Sequence, residues 1–538
     1  MMSEQIGWSA SGSGGAVAAG GAGSVAAGIE LLADGGNAVD AAVATILALA
    51  VTDYGLFVIG GEVPLMLHEG ESRRVRVLSG VGRSPLDPAT IADFYASGIP
   101  DQGSYQAMPV PGAPHLCLTA LAMFGTVSFE RAVAPTMELL EAGEADWHGR
   151  LLRTLRRLIE AERITPGTRE RKLVAARDRF YWGDIAMELV EWYEAVGCPL
   201  TADDLAAHVT TVEEPVSVDY RGLTVHKCGA WTQGPVLSQT LRLLEGYDLA
   251  SMEHLSPDYV HVVTEAMKLA YADRDEYYAD PEFAGVPLPR LLCDEYTLMR
   301  RGLIDMKRAS RERRPGDPYA MHPLIGDGSV DANDVRTPIS DTTTCVVADR
   351  WGNVVAATPS CNLAGNRPDP RTGVTQGNRL RCMNTTPGHP NCLEPAKRPR
   401  ITLTPTLVTR DGRPVAAISV AGGDLQDQTA LNVLLNCVEF GMSPGEAVTA
   451  PRFSTDHMEN SFDSSPDRDR AFKQPGSLQV SDGVPEDVRG ELSRRGHTVS
   501  VTDGFIAMPV MLGIDEDGTV HAAGDPAAGR HAGALAKN

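Results

Sequence analysis

Asp341-Thr342-Thr343-Thr344-Cys345-Val346-Val347-Ala348, then Asp349-Arg350-Trp351-Gly352-Asn353, then Val354-Val355-Ala356-Ala357-Thr358-Pro359-Ser360, is the stretch that sets the fold. Its first run is β-branched and apolar, its middle is turn chemistry, and its last run is apolar again, so it predicts a β-hairpin. The pattern returns downstream. Ile401 to Thr409, the turn Arg410-Asp411-Gly412-Arg413 and Val415 to Val420 predict a second hairpin, which ends in Gly422-Gly423 before a helix from about Asp427 to Phe440. Upstream, helical spacing runs from Ala26 to Leu32 and stops at Asp34-Gly35-Gly36, and Asn37 is placed to cap a second helix reaching about Val51. A Gly60-Gly61 pair then interrupts a strand-like region that runs to His68. Residues from about Ser128 to Leu303 read as mostly helical, including Tyr259 to Tyr278 with Val262, Val263, Met267, Leu269 and Ala270 on its apolar side. Helices that flank stacked antiparallel sheets, an α+β arrangement, satisfy all of these segments.

The chain has 538 residues, 43% hydrophobic and 22% charged, enough to bury a large core. No Gly/Ser- or Pro-rich linker divides it. The polar stretches Met306 to Pro318 and Met458 to Lys473 read as surface loops, so a single globular unit is expected. A formal charge of -22 argues against nucleic acid or an anionic membrane as partner, because those surfaces need clustered Lys and Arg. The Arg-rich pieces Arg150 to Arg157 and Arg308 to Arg314 read as solvated faces. Met1 to Gly28 lacks the pattern of a secretory signal, and the most apolar stretch, Ala38 to Val51, is too short for a membrane span. Nine scattered cysteines without C-x-x-C spacing fit reduced thiols, and the expected compartment is cytoplasmic.

Familiar catalytic signatures are missing from the sequence: it has no H-E-x-x-H, no G-x-x-x-x-G-K-[ST] and no G-x-S-x-G. Gly21-x-Gly23 lacks the preceding strand and βαβ unit of a dinucleotide site. A threonine run at a strand start is by itself ordinary, since Thr favours strands. The surrounding pattern changes its meaning. Asp341 to Ser360 resembles the start of the small subunit of the γ-glutamyltransferases, where a Thr-Thr strand leads into a D-x-x-G-N turn. Gly35-Gly36-Asn37-Ala38-Val39-Asp40-Ala41-Ala42-Val43, Met108-Pro109-Val110-Pro111-Gly112 and Glu265-Ala266-x-x-x-Ala270-Tyr271-Ala272-Asp273-Arg274 resemble further signatures of that family. Lys397-Arg398-Pro399, Thr404-Pro405-Thr406, Gly422-Gly423 and Ala450-Pro451-Arg452-Phe453 follow in the same order, so the resemblance covers nearly the whole chain.

What the resemblance implies is a four-layer αββα N-terminal-nucleophile hydrolase sandwich, made as one precursor that cuts itself between Asp341 and Thr342. Residues 1–341 would form the large subunit and residues 342–538 the small one. The chemistry is reasonable on its own terms: a Thr hydroxyl is a poor nucleophile at neutral pH, and a free α-amine on the same residue supplies its base. The resemblance assigns Thr342 as nucleophile and Thr343 as the neighbouring hydroxyl. It also places Ser360 where the family usually has a Thr supporting the N-terminal amine, matches Asn362 to the family's Asn two residues on, and assigns Gly422 and Gly423 as the oxyanion-stabilising pair. Cys345 lies within the strand, where a buried thiol is unreactive. No metal or organic cofactor is implied.

This sequence also departs from the family's glutamate-binding pattern. The family's Arg motif becomes Gly80-Val81-Gly82-Arg83-Ser84-Pro85, with Arg83 about one residue off register. Its Ser pair becomes Ile401-Thr402, and its acidic position falls near Thr385 or Thr386. Losing such partners costs on the order of 1–3 kcal/mol each in a buried site, so a standard γ-glutamyl donor is not the expected substrate. The expected partner is a small amide or oxo-acid, with Arg83, Arg381, Thr402 and Asp424 as candidate substrate contacts. Cleavage of a C–C bond beside a carbonyl in secondary metabolism is an alternative use of the same nucleophile, and an uncleaved binding protein is another.

Overall fold

The computed structural model describes residues 6–100, 103–324, 341–363 and 365–536. Two seven-stranded sheets stack face to face. The first has the order His531–Leu535, Gly15–Ala19, Cys345–Asp349, Val354–Ala357, Val63–His68, Val75–Gly80, Thr211–Glu213, and every pairing in it is antiparallel. The second runs Ser9–Gly12, Val520–Gly524, Met508–Ile514, Arg413–Ala421, Thr406–Arg410, Leu223–Lys227, Val216–Tyr220.

Three layers of apolar side chains hold four layers of structure. Between the sheets, Ala16, Ala18, Val346, Ala348, Val354 and Ala356 meet Leu407, Ala417, Val510 and Leu512. On the outer face of the first sheet, Val17, Ala19, Cys345, Val347, Val355 and Ala357 pack under helices that include Ala22–Ala33 and Ala38–Thr52. The outer face of the second sheet is covered by Pro235–Leu244, Pro257–Tyr277 and Gln426–Val438. Successive strand residues point to opposite faces, and both faces are covered, which is why Cys345–Ala348 reads as an unbroken apolar run.

The resulting order is αββα, as the sequence suggested. Both hairpins are present, the first in the register Cys345↔Ala357 to Ala348↔Val354. Asn37 caps its helix as expected, accepting from the backbone of Val39 and Asp40 while Asp40 accepts from the Asn37 backbone. The second hairpin begins later than expected, at Thr406, because Ile401 bridges to Thr232 instead.

Three expectations are corrected. The mostly helical middle also contains the strands Thr211–Glu213, Val216–Tyr220 and Leu223–Lys227, which complete an edge of each sheet and turn at Arg221-Gly222, both at positive φ. Helix Pro257–Tyr277 has no polar outer side over most of its length; it is buried from Tyr259 to Asp275, and its charges are paired within the core, as in Asp273–Arg300 and Arg274–Asp275. Met458 to Phe462 is buried rather than a surface loop, because Glu459 is neutralised by Arg313 and Arg468. Among the described residues no helix is long and apolar enough to cross a membrane.

Candidate active site

Thr342 to Thr344 lead into strand Cys345–Asp349 of the first sheet, and Thr342 forms an isolated antiparallel bridge with Ser360. The Thr342 hydroxyl is buried, with Oγ1 3.1 Å from Ser360 Oγ. Ser360 Oγ donates to the carbonyl oxygen of Asp341, the carbonyl of the Asp341–Thr342 bond, and accepts from Arg379 Nη2 at 2.7 Å. A hydroxyl has one proton to give and two lone pairs to receive with. Since Ser360 spends its proton on the Asp341 carbonyl, the Thr342 hydroxyl is the donor in the contact between them. The result is a chain from cation to serine to the Asp341 carbonyl, with the threonine oxygen beside it.

Arg379 is fixed by Glu62, Nε to Oε1 at 2.6 Å, and both side chains are fully buried. Burial pushes the Glu62 carboxyl up from its ordinary value and Arg379 pulls it back. Burial likewise opposes charge on Arg379, but Glu62, Cys382 and Asp341 together raise its pKa above the ordinary value. Glu62 is held through its backbone, which exchanges both hydrogen bonds with Ser360, at 2.9 and 3.0 Å.

Thr343 is anchored from the other side. Its hydroxyl donates to Asp53 Oδ2 at 2.6 Å and accepts from Arg530 Nη1 at 2.9 Å, and its amide donates to the Pro359 carbonyl. Gly20 is required beside it: a Cβ there would lie 2.0 Å from Asp53 Oδ2 and 2.6 Å from Thr343 Oγ1. Asn362 adopts a left-handed backbone with φ 48°, and its carbonyl accepts from the Asn378 amide at 2.8 Å.

Gly422 and Gly423 both have positive φ, 153° and 58°, at the turn from strand Arg413–Ala421 into helix Gln426–Val438. A Cβ on Gly422 would meet that of Ala507 at 2.7 Å, and one on Gly423 would meet the Phe462 ring at 3.2 Å. Phe462 ties this turn to the arginines: its ring lies 5.7 Å from the Arg379 guanidinium, and its carbonyl accepts from Arg381 Nη2 at 3.3 Å. Among the described residues, Arg381 Nε and Nη1 are buried without a partner, as is the Thr402 hydroxyl.

Two candidate contacts sit elsewhere in the bonding pattern. Arg83 is held by Glu282 and the Ala396 carbonyl, and lines a cleft of about 170 Å³ with Ser84, Asp204 and His208. Both oxygens of Asp424 are saturated by Arg274, Lys473 and Ser461. Burial disfavours its charge, but Lys473 and Arg274 hold its carboxyl well below the usual range. Each is already paired with a fixed ionic partner, Arg83 with Glu282 and Asp424 with Arg274 and Lys473.

The sequence reading missed Glu62, Arg379, Asp53, Arg530 and Phe462. Glu62 follows the noted Gly60-Gly61 pair inside an apolar run, and Arg379 stands two residues before Arg381, so the residue types were visible while their pairing was not. One cluster among the described residues has metal-ligand chemistry, His261, Glu265 and His497. Its carboxylate is already claimed by Lys268 and Arg314, and those cations oppose another.

Comparison with known proteins places this geometry among relatives. Residues 24–160 and 150–535 match the family model described as Gamma-glutamyltranspeptidase. The glutathione hydrolase proenzyme of Bacillus subtilis (strain 168) is 31% identical over 536 residues, covering 93% of this chain and 87% of that protein. The solved structure of LmbA2991T421A is 33% identical and covers 98% of this chain and 99% of its own, with a TM-score of 0.88. The crystal structure of cephalosporin acylase from Bacillus halodurans is 25% identical, covers 98% and 97% respectively, and has a TM-score of 0.81.

Proposed function

Because the chain belongs to the γ-glutamyltranspeptidase family and is an enzyme of the N-terminal-nucleophile hydrolase fold, we propose that it cuts its own Asp341–Thr342 bond and then hydrolyses amides through Thr342. The observation that carries the reading is the Ser360 hydroxyl, bonded to the Asp341 carbonyl on one side and 3.1 Å from the Thr342 oxygen on the other.

In self-cleavage, Thr342 Oγ1 attacks the Asp341 carbonyl carbon, and the carbonyl oxygen gathers negative charge. Ser360 donates to that oxygen, and the Arg379 cation behind Ser360 favours the shift of charge. The C–N bond breaks, the hydroxyl proton ends on the nitrogen, and Asp341 is left as an ester on Thr342. Water hydrolyses the ester and frees the Thr342 amine.

In turnover, that amine takes the Oγ1 proton as the nucleophile attacks an amide and passes it to the leaving nitrogen. Its ordinary pKa of about 7.7–8.0 suits both directions of transfer. Water then resolves the acyl-enzyme. The B. subtilis relative's designation as a proenzyme and the acylase neighbour support both halves of the reading. The nine cysteines, all unpaired, support a reducing compartment such as the cytoplasm.

Thr342→Ala tests the proposal. The expected result is a full-length band on a denaturing gel and no amine release from amide donors, where the wild type gives two bands and activity. A cleaved, active variant would refute it.

A further inference from the structure

Eight arginines are buried among the described residues, and six of them have a carboxylate partner: Arg274 with Asp275 and Asp424, Arg300 with Asp273, Arg379 with Glu62, Arg398 with Asp280, Arg452 with Asp525 and Arg530 with Asp53. The other two, Arg381 and Arg400, are 9% and 4% exposed and have no such partner among those residues. Nε and Nη1 of Arg381 and Nε of Arg400 lack any hydrogen-bond partner there as well. Taking a cation out of water is costly unless an anion meets it, and a buried donor left unmade adds to that cost. Two such guanidinium groups, in a protein that pairs its other buried ones, are placed to receive an anion from outside the chain.

Both arginines reach the same dipeptide. Arg400 Nη1 donates to Ser461 Oγ at 2.8 Å, and Arg381 Nη2 donates to the carbonyl of Phe462 at 3.3 Å. The acid to which Ser461 donates in turn, Asp424, is already neutralised by Arg274 and Lys473. The dipeptide borders the reacting groups on two sides. The Phe462 ring would stand 3.2 Å from a Cβ on Gly423, and it lies 5.7 Å from the Arg379 guanidinium. Arg379 donates to Ser360, whose hydroxyl is 3.1 Å from Thr342 Oγ1.

We propose that Arg381 and Arg400 form an anion subsite of the active site, and that the matured enzyme takes amides that carry a carboxylate, which these two arginines bind. The planar fork of a guanidinium matches the two oxygens of a carboxylate. This rests on the amide-hydrolysis reading and adds the substrate class and its binding residues to it. A carboxylate on the acyl half is released by hydrolysis as part of a dicarboxylate, and one on the amine half as part of an amino acid.

Those products are the probes. Malonate, succinate, glutarate and adipate are titrated calorimetrically into matured wild type, each beside the monocarboxylate of the same chain length. Glycine and β-alanine are titrated beside ethylamine and propylamine. At least one carboxylate-bearing probe should bind about tenfold or more tightly than its counterpart, and Arg381→Gln and Arg400→Gln should each abolish that difference. A preference among the acids assigns the carboxylate to the acyl half, and one among the amines assigns it to the amine half. Arg381→Lys and Arg400→Lys, which keep the charge but lose the fork, should weaken the preference too and replace any Gln variant that does not fold. No preference in either set, or one that survives the substitutions, would overturn the proposal. Intact mass taken beforehand separates the two failures: an uncleaved wild type sinks the self-cleavage reading with it, whereas a cleaved one without the preference sinks only the anion subsite.

Discussion

In the proposed reaction a single hydroxyl carries the chemistry of the site. Among the described residues, Ser360 touches the Asp341 carbonyl, the Thr342 oxygen and the Arg379 cation together, and its three bonds use all the capacity a hydroxyl has. Ser360→Ala should therefore slow self-cleavage by roughly 10²–10³-fold, the usual loss for one oxyanion donor, while leaving the fold intact. The time course of fragment appearance checks it, and cleavage at the wild-type rate would show that the serine is only a spacer. Ser360→Thr keeps the hydroxyl and should retain most of the rate. Ser360 and Thr342 were named in the sequence because the stretch from Asp341 to Ser360 resembles the start of the γ-glutamyltransferase small subunit, and the hairpin they share brings them together. Glu62 and Arg379 were not, because their bond spans 317 positions and neither residue type announces a partner at that distance. For the same reason Arg83 and Asp424 read as free charges until the structure supplied Glu282, Arg274 and Lys473.

At the scale of elements, turn chemistry decided what could be read. The hairpin at Asp349–Asn353 and the one at Arg410–Arg413 have polar, Gly-containing turns between apolar runs, and both appear in the structure. Val216–Tyr220 and Leu223–Lys227 were missed because one is an edge strand and the other is buried only at alternate positions, so neither presents a continuous apolar run. Helix Ala113–Phe124 brings a titratable group with it. His115 is buried beside Thr210 and Tyr181, and burial, followed by Arg177, pushes its pKa down to about 3. A histidine that titrates near 6.5 when unfolded then binds its proton in the unfolded state first, so stability is lost as pH falls below about 6.5. Between pH 7 and pH 5 this histidine alone should remove about 2 kcal/mol. Urea midpoints at the two pH values, compared with His115→Gln, measure it: the variant should lose less stability on acidification than wild type. An equal loss in both would place the acid sensitivity elsewhere.

The whole molecule explains why cutting the chain need not release a piece. The first sheet draws strands from both sides of residue 341, with Cys345–Asp349 paired to Gly15–Ala19 and Val354–Ala357 paired to Val63–His68. The second does the same, with Thr406–Arg410 paired to Leu223–Lys227 and Ser9–Gly12 paired to Val520–Gly524. Neither fragment could cover its own sheet faces, so the two should co-elute in native gel filtration and part only in denaturant. Fragments that separate without denaturant would mean the shared sheets do not hold them.

The most direct test of the account is intact-protein mass spectrometry of the purified wild type, read against the position of the cut. The account predicts two species in equal amount, one ending at Asp341 and one beginning at Thr342. A single full-length mass, or a fragment that begins at any other residue, would contradict it.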